Sequence, residues 1–182
     1  ALTSPKNINF DVTKYECIQS EELLNKWIQR CFDVEVIAVD LETNSLDSSS
    51  ADLVGICLSI DDNDACYIPL GHIGTGDMFG EDKPKQIELS VAIKMLKPLL
   101  ESDSVLKVGQ NFKYDLGVLQ RYGINAAPYD DTMLISYSLA AGLHNHGMDG
   151  LSELHFGHKP ISFKELVGSG KNKKTFDELT LE

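Results

Sequence analysis

Apolar positions recur along the chain in two periods. After an opening strand near Lys14 to Ile18, a helix from Ser20 sets Leu24, Trp27, Ile28, Cys31 and Phe32 at helical spacing, and Glu21 and Glu22 suit its N-terminal dipole. VEVIAVDLE then reads as a hydrophobic strand, and DLVGICLSI and ACYIPL, parted by the turn-forming DDND, as two further strands of a meander. A helix over Ser90 to Leu100, with Val91, Ile93, Met95, Leu96 and Leu99 on its apolar side, leads to the short strand VLKVG. From Asn111 onward the stretches NFKYDLGVLQRYG, DTMLISYSLAAG, GMDGLSELHFG and SFKELVG read as helices that end or break at Gly.

Three neighbouring strands, a crossover, a parallel strand and then helices predict an α/β sandwich, a mixed central sheet flanked by helices with the layout of the ribonuclease H-like fold. The chain has 182 residues, 42% hydrophobic and 24% charged, which suits one globular domain over 1–182. No apolar run approaches the roughly 20 residues of a spanning helix, so no membrane partner is expected. The opening ALTSPKNINF lacks the basic flank and apolar core of an export signal, and a start at Ala1 reads as excised from something longer. Cys17, Cys31, Cys57 and Cys66 show no CxxC spacing and read as reduced thiols of a cytosolic chain. His144/His146 and His155/His158 lack the partners of a zinc site and read as surface or loop histidines.

Charge complicates any nucleic-acid reading, because 16 Lys+Arg against 28 Asp+Glu give a net of −12, repulsive to a polyanion at long range. The imbalance is uneven. Between His155 and Lys174 stand Lys159, Lys164, Lys171, Lys173 and Lys174 against the single acid Glu165, a tract that serves either as a solvated loop or as a phosphate contact.

Candidate chemistry centres on carboxylates. Asp40 and Glu42 close VEVIAVDLE, and residues i and i+2 of a strand project from one face, so both acids point into one small volume. Like charges that close repel unless a cation separates them, and a hard divalent ion such as Mg²⁺ takes oxygen ligands and bridges carboxylate to phosphate. The same dipeptide also suits a polar strand end running into the turn residues Asn44 and Ser45. In GQNFKYD, Asn111 is placed to cap a helix and Asp115 falls in its first turn, where the dipole favours an acid whatever the function. Strand ends in α/β sheets gather site residues, so Asp115 can also meet the acids of a neighbouring strand. Two metals held by such carboxylates give phosphoryl-transfer hydrolysis without a side-chain nucleophile, and no GxSxG elbow or P-loop competes.

DLET and NFKYD, in that order, resemble the 3′ to 5′ proofreading exonuclease domain of bacterial family A DNA polymerases. The resemblance runs through SLDSSSADLVGICLSI, YIPLGH, LKPLLESDSVLKVGQNFKYDLGVL, DDTMLISYSL, HGMDGLSE, ISFKELVGSGKN and TFDELTLE, covering essentially the whole chain. It implies a ribonuclease H-like domain of a bacterial cytoplasmic polymerase that hydrolyses the terminal nucleotide of a single-stranded or frayed DNA 3′ end. It also implies two divalent ions, Mg²⁺ or Mn²⁺, held by four acids in three motifs. Asp40 and Glu42 match the first motif as catalytic and metal-binding residues, and Asp115 the second. Leu46 matches the apolar wedge between the last two bases, Phe163 the stacking aromatic, and Gln110, Asn111, Tyr114 and Met133 residues lining the terminal nucleotide. Leu46, Met133 and Phe163 also suit ordinary packing, since stacking and core burial want the same side chains.

Two departures stand out. Where the family often has Arg, AAGLHNHGMD offers Leu143, which cannot make an arginine's phosphate contact, with His144, Asn145 or His146 as substitutes. The third motif, a Tyr with Asp four residues later, is absent, so the expectation is an exonuclease domain incomplete at its C-terminus, without the polymerase domain of its parent, and weakly active or inactive. His144 and Asp149 have the spacing of a related His and Asp pair, but Gly147 interrupts them. The rival readings are an RNA-directed 3′ to 5′ exoribonuclease of the same superfamily and a catalytically silent module that supports a polymerase.

Overall fold

A computed structural model describes residues 11–74, 83–170 and 173–181. Its centre is a six-stranded sheet of strands β1 (Glu16–Cys17), β2 (Val36–Thr43), β3 (Leu53–Asp61), β4 (Asp64–Pro69), β5 (Leu106–Gly109) and β6 (Tyr129–Asp131), in the order β1-β4-β3-β2-β5-β6. β2, β3 and β4 form the expected antiparallel meander, while β5 runs parallel to β2, β6 to β5 and β1 to β4. The mixed α/β sheet flanked by helices is the fold expected from the sequence.

The helices are α1 (Glu21–Phe32), α2 (Leu89–Leu100), α3 (Lys113–Arg121), α4 (Thr132–Ala140), α5 (Met148–Phe156) and α6 (Phe163–Val167). Ser20 caps α1 by accepting from the Leu23 amide at 3.4 Å. Leu24, Trp27, Ile28 and Cys31 are buried, while Phe32 reaches solvent at the helix end. In α2 the fully buried side is Ala92, Leu96, Leu99 and Leu100, and Val91, Ile93 and Met95 pack only at its margin. The three-residue β6 was not visible as an apolar run, because Tyr129, Asp130 and Asp131 carry no strand-like alternation.

Strand alternation divides the sheet into two unlike faces. Ile37, Val39 and Leu41 of β2 join Ile56, Leu58 and Ile68 in the core that the apolar sides of α1, α2 and α3 complete. The opposite face carries Ala38, Asp40, Cys57, Ser59 and Ala65, which floor a cleft of about 1160 Å³ walled by α4 and α5. No residue of α4 or α5 is fully buried, and Leu134, Tyr137 and Leu139 of α4 are exposed. Lys107 of β5 is the unexpected core residue: its ammonium donates to the carbonyls of Ser102 (2.8 Å), Val105 (2.7 Å) and Ala127 (2.5 Å), and burial lowers its pKa. All four cysteines are free thiols. Among the described residues, no helix is long and apolar enough to cross a membrane.

Candidate active site

Asp40 and Glu42 leave the same face of β2, in the part that pairs antiparallel with β3, just beyond the Val36–Ala38 stretch that pairs parallel with β5. Glu42 lies opposite Gly55, and the register shifts just beyond it, at Thr43. Asp115 enters from the first turn of α3 and is 3% exposed. Sequence spacing alone allows these acids to approach one another, and the charges of Asp40 and Glu42 are felt at Asp115. Burial, then the Asp40 and Glu42 charges, push the Asp115 carboxyl up to about 8, while amide donors, Leu41 among them, act the other way. Burial and Asp40 push Glu42 up to about 7, and Asp40 itself is raised by burial. Three hard oxygen donors that repel one another in a poorly solvated pocket have the chemistry a divalent cation relieves. Their donor chemistry suits the ion, while among the described residues no three His, Cys, Asp or Glu side chains stand close enough together to hold one.

The expected nucleotide-lining residues fall into two sets. Leu46 projects from the tip of the β2–β3 loop, 98% exposed, and Phe163 starts α6 on the surface. Asn111 is also exposed, and Met133 is half-buried on the first turn of α4. Exposure of Leu46 and Phe163 removes the core-packing alternative for those two. Gln110 and Tyr114, by contrast, spend their polar groups inside the protein. The Gln110 amide donates to the His146 carbonyl at 2.8 Å and accepts from the Thr132 hydroxyl. The Tyr114 hydroxyl lies 2.6 Å from Thr43 Oγ1 and donates to the Ser45 carbonyl.

Asn111 does not cap α3. Its backbone is left-handed (φ 56°), Phe112 holds the cap position without a side-chain bond, and the Asn111 amide donates to Asp131 instead. Asp131 is one group that sequence reasoning missed, because an acid before a helix reads simply as a cap. His72 is another: it is 2% exposed, with Nε2 2.6 Å from the Tyr67 hydroxyl and Nδ1 3.1 Å from the Leu179 carbonyl. A histidine between Gly71 and Ile73 carries no periodic signal of burial, and its partners lie far along the chain.

Leu143 is exposed, and His144 and Asp149 share no helix, since His144 precedes α5 and Asp149 lies in its first turn. His146 is engaged by Ser136 (2.8 Å) and by the Tyr137 ring. Of the basic tract, Lys159, Lys164, Lys173 and Lys174 are exposed, and Lys171 lies outside the described residues.

Comparison with known proteins decides the family. A profile described as 3′-5′ exonuclease, from family A DNA polymerases, matches residues 15–181. The chain belongs to this 3′-5′ exonuclease family. It is 46% identical over 184 residues to DNA polymerase I of Rhizobium leguminosarum, covering 95% of this chain and 18% of that protein. The chain thus spans about a fifth of the length of the curated relatives it matches. In fold it is similar to the catalytic core of RRP6 from Trypanosoma brucei, with TM-score 0.66, 16% identity, and coverage of 91% of this chain and 41% of that one. It is likewise similar to Brucella melitensis NrnC with bound Mg²⁺, with TM-score 0.56, 21% identity, and coverage of 82% and 64%.

Proposed function

We propose that this chain is a proofreading exonuclease domain of a DNA polymerase I, and that it removes the terminal nucleotide from a single-stranded or frayed DNA 3′ end in the bacterial cytoplasm. The observation that carries this reading is the gathering of Asp40, Glu42 and Asp115 from two elements: the Asp40 charge makes Glu42 harder to ionise, and the Asp40 and Glu42 charges do the same to the buried Asp115. Such a cluster is costly unless a cation compensates it. Asp40, Glu42 and Asp115 would hold Mg²⁺ or Mn²⁺, two ions in the complete site. When bound, such ions would supply a lowered pKa for the attacking water and charge stabilisation for the attacking and leaving oxygens.

The chain's own residues do the positioning. Leu46 stands free to wedge between bases, Phe163 to stack on one, and Asn111 to meet the terminal nucleotide. Gln110 and Tyr114 contribute by fixing the backbone around that nucleotide, given that their polar atoms are taken. DNA rather than RNA is favoured because the relative at 46% identity is a DNA polymerase. The polymerase domain of the parent chain is the partner in cis.

The cleft over Ala38, Cys57 and Ser59 supports the view that the domain takes further polypeptide before it is complete. Among the described residues this sheet face lies uncovered beside the exposed apolar side chains of α4, and such a surface is one that folded domains cover. A longer chain with a Tyr and an Asp four residues later on such a segment would complete the set of acids that the family resemblance implies. The test is hydrolysis of a 3′-labelled single-stranded oligonucleotide with Mg²⁺ by a chain extended through the next Tyr and Asp. Removal of 3′ nucleotides that stops in Asp40→Ala and Asp115→Ala supports the reading; hydrolysis that survives both substitutions, or that prefers RNA, overturns it.

A further inference from the structure

Asp131 ends β6 and opens α4, and backbone N–H groups from two separate elements converge on its carboxylate, which is 7% exposed. From α4, Met133 and Leu134 donate to Oδ1 at 2.9 and 3.4 Å. Those two bonds are what any helix cap makes. The other two are not. Asn111 donates to Oδ1 at 3.1 Å and Phe112 to Oδ2 at 2.9 Å, both from the turn between β5 and α3. Thr132 extends the link, its hydroxyl meeting the Gly109 carbonyl (3.0 Å) and the Gln110 side chain.

The turn so gripped needs an outside hold. Asn111 has φ 56°, a conformation that non-glycine residues keep only where their surroundings impose it, and Phe112 offers no side chain to cap α3. Asp115 follows Phe112 by three residues, within the first turn of that helix.

We propose that Asp131 is a positioning residue of the nuclease site: its carboxylate clamps the β5–α3 turn to the start of α4 and so fixes Asp115 and Asn111 against the β2 carboxylates, with Met133 on the same anchor. The inference rests on reading Asp40, Glu42 and Asp115 as metal-binding carboxylates. Asp131 itself touches neither metal nor substrate; it acts through two amides, as partners behind metal ligands do.

Asp131→Ser separates the clamp from the cap, because a serine hydroxyl caps α4 but is too short to span to Asn111 and Phe112. Asp131→Asn is the milder companion, since it keeps one acceptor and sets an NH₂ group against one donor. The experiment follows amide hydrogen exchange together with Mn²⁺ affinity, read from the electron paramagnetic resonance of the free ion, in the unchanged chain and in each variant. In Asp131→Ser, Met133 and Leu134 are expected to stay protected while Asn111 and Phe112 exchange about tenfold faster or more. Mn²⁺ affinity is expected to fall about tenfold in Asp131→Ser, and less in Asp131→Asn. Unchanged exchange at Asn111 and Phe112 overturns the clamp, and so does faster exchange with undiminished Mn²⁺ affinity. Failure of the metal reading looks different: Asp40→Asn and Asp115→Asn would then leave Mn²⁺ affinity as it was, and the exchange pattern alone would decide the clamp.

Discussion

The Tyr114 hydroxyl lies 2.6 Å from Thr43 Oγ1 and also donates to the Ser45 carbonyl, tying the helix of Asp115 to the strand end of Asp40 and Glu42. One phenol thus links both acid-bearing elements and steadies the loop that presents Leu46. Tyr114→Phe keeps the ring and removes both bonds. The expected loss of stability is about 1 kcal/mol, the usual net worth of such bonds, and urea unfolding measures it. Exchange of the Asn44 amide, which donates to the Asp52 carbonyl at 3.2 Å, should quicken as the loop loosens. An unaltered unfolding midpoint with unaltered exchange would show that the phenol is not the tie.

The carboxylates set the pH response. Glu42 and Asp115 are raised to about 7 and about 8 from ordinary values of 4.5 and 3.8, so between those limits the native protein keeps protons that the unfolded chain has lost. Their stabilising contribution is therefore full below the unfolded pKa values and is lost as pH rises through the folded ones. Without metal, melting temperature should fall from pH 5 toward pH 8.5, and Asp115→Asn should flatten that fall and stabilise the alkaline form by about 1–3 kcal/mol. Metal binding should release protons and strengthen over the same window. Calorimetry at three pH values tests both signs, and a melting temperature that climbs with pH would contradict the coupling.

How much of this was legible in the chain depends on distance along it. The period of the apolar residues located α1, β2, β3 and β4, because each buries a face against the same core. Asp40 and Glu42 could be placed on one strand face from the pleat alone. What could not be read were groups whose partners are remote: Asp131 with Asn111, His72 with Leu179, and Lys107 with the Ala127 carbonyl. Asn111 shows the same limit from the other side. Its sequence neighbours suggest a cap, and the pull of a carboxylate from β6 on its amide overrides them.

The basic tract gives a third prediction. Lys164, Lys173 and Lys174 are exposed in a chain of net charge −12, so any affinity for short single-stranded DNA should be weak and concentrated on them. Replacing the three by Ala should weaken binding at low salt, and raising the salt should weaken the unchanged chain in the same way, by counterion release. Fluorescence anisotropy with a labelled oligonucleotide reads both. Binding that is indifferent to the three substitutions would show a merely solvated loop.

Cys57 offers a direct probe of the cleft. It sits half-buried on the β3 floor beside Ala38 and Ser59, while Cys17 is exposed and Cys31 and Cys66 are in the core. Burial, then the Glu42 and Asp40 charges, raise the Cys57 thiol, so it should react slowly with a maleimide, and Cys17 serves as an internal standard in the same sample. If a longer chain containing this domain covers the sheet face, it should label Cys57 about tenfold more slowly than the present one, relative to Cys17. On the proposed reading, the same longer chain should raise nuclease activity if it also sets a further acid beside Asp40, Glu42 and Asp115. The two readouts need to move together. Protection of Cys57 without activity would mean that the covering segment packs on the sheet yet brings no catalytic group, and activity with Cys57 still reactive would place the missing acid somewhere other than over this cleft.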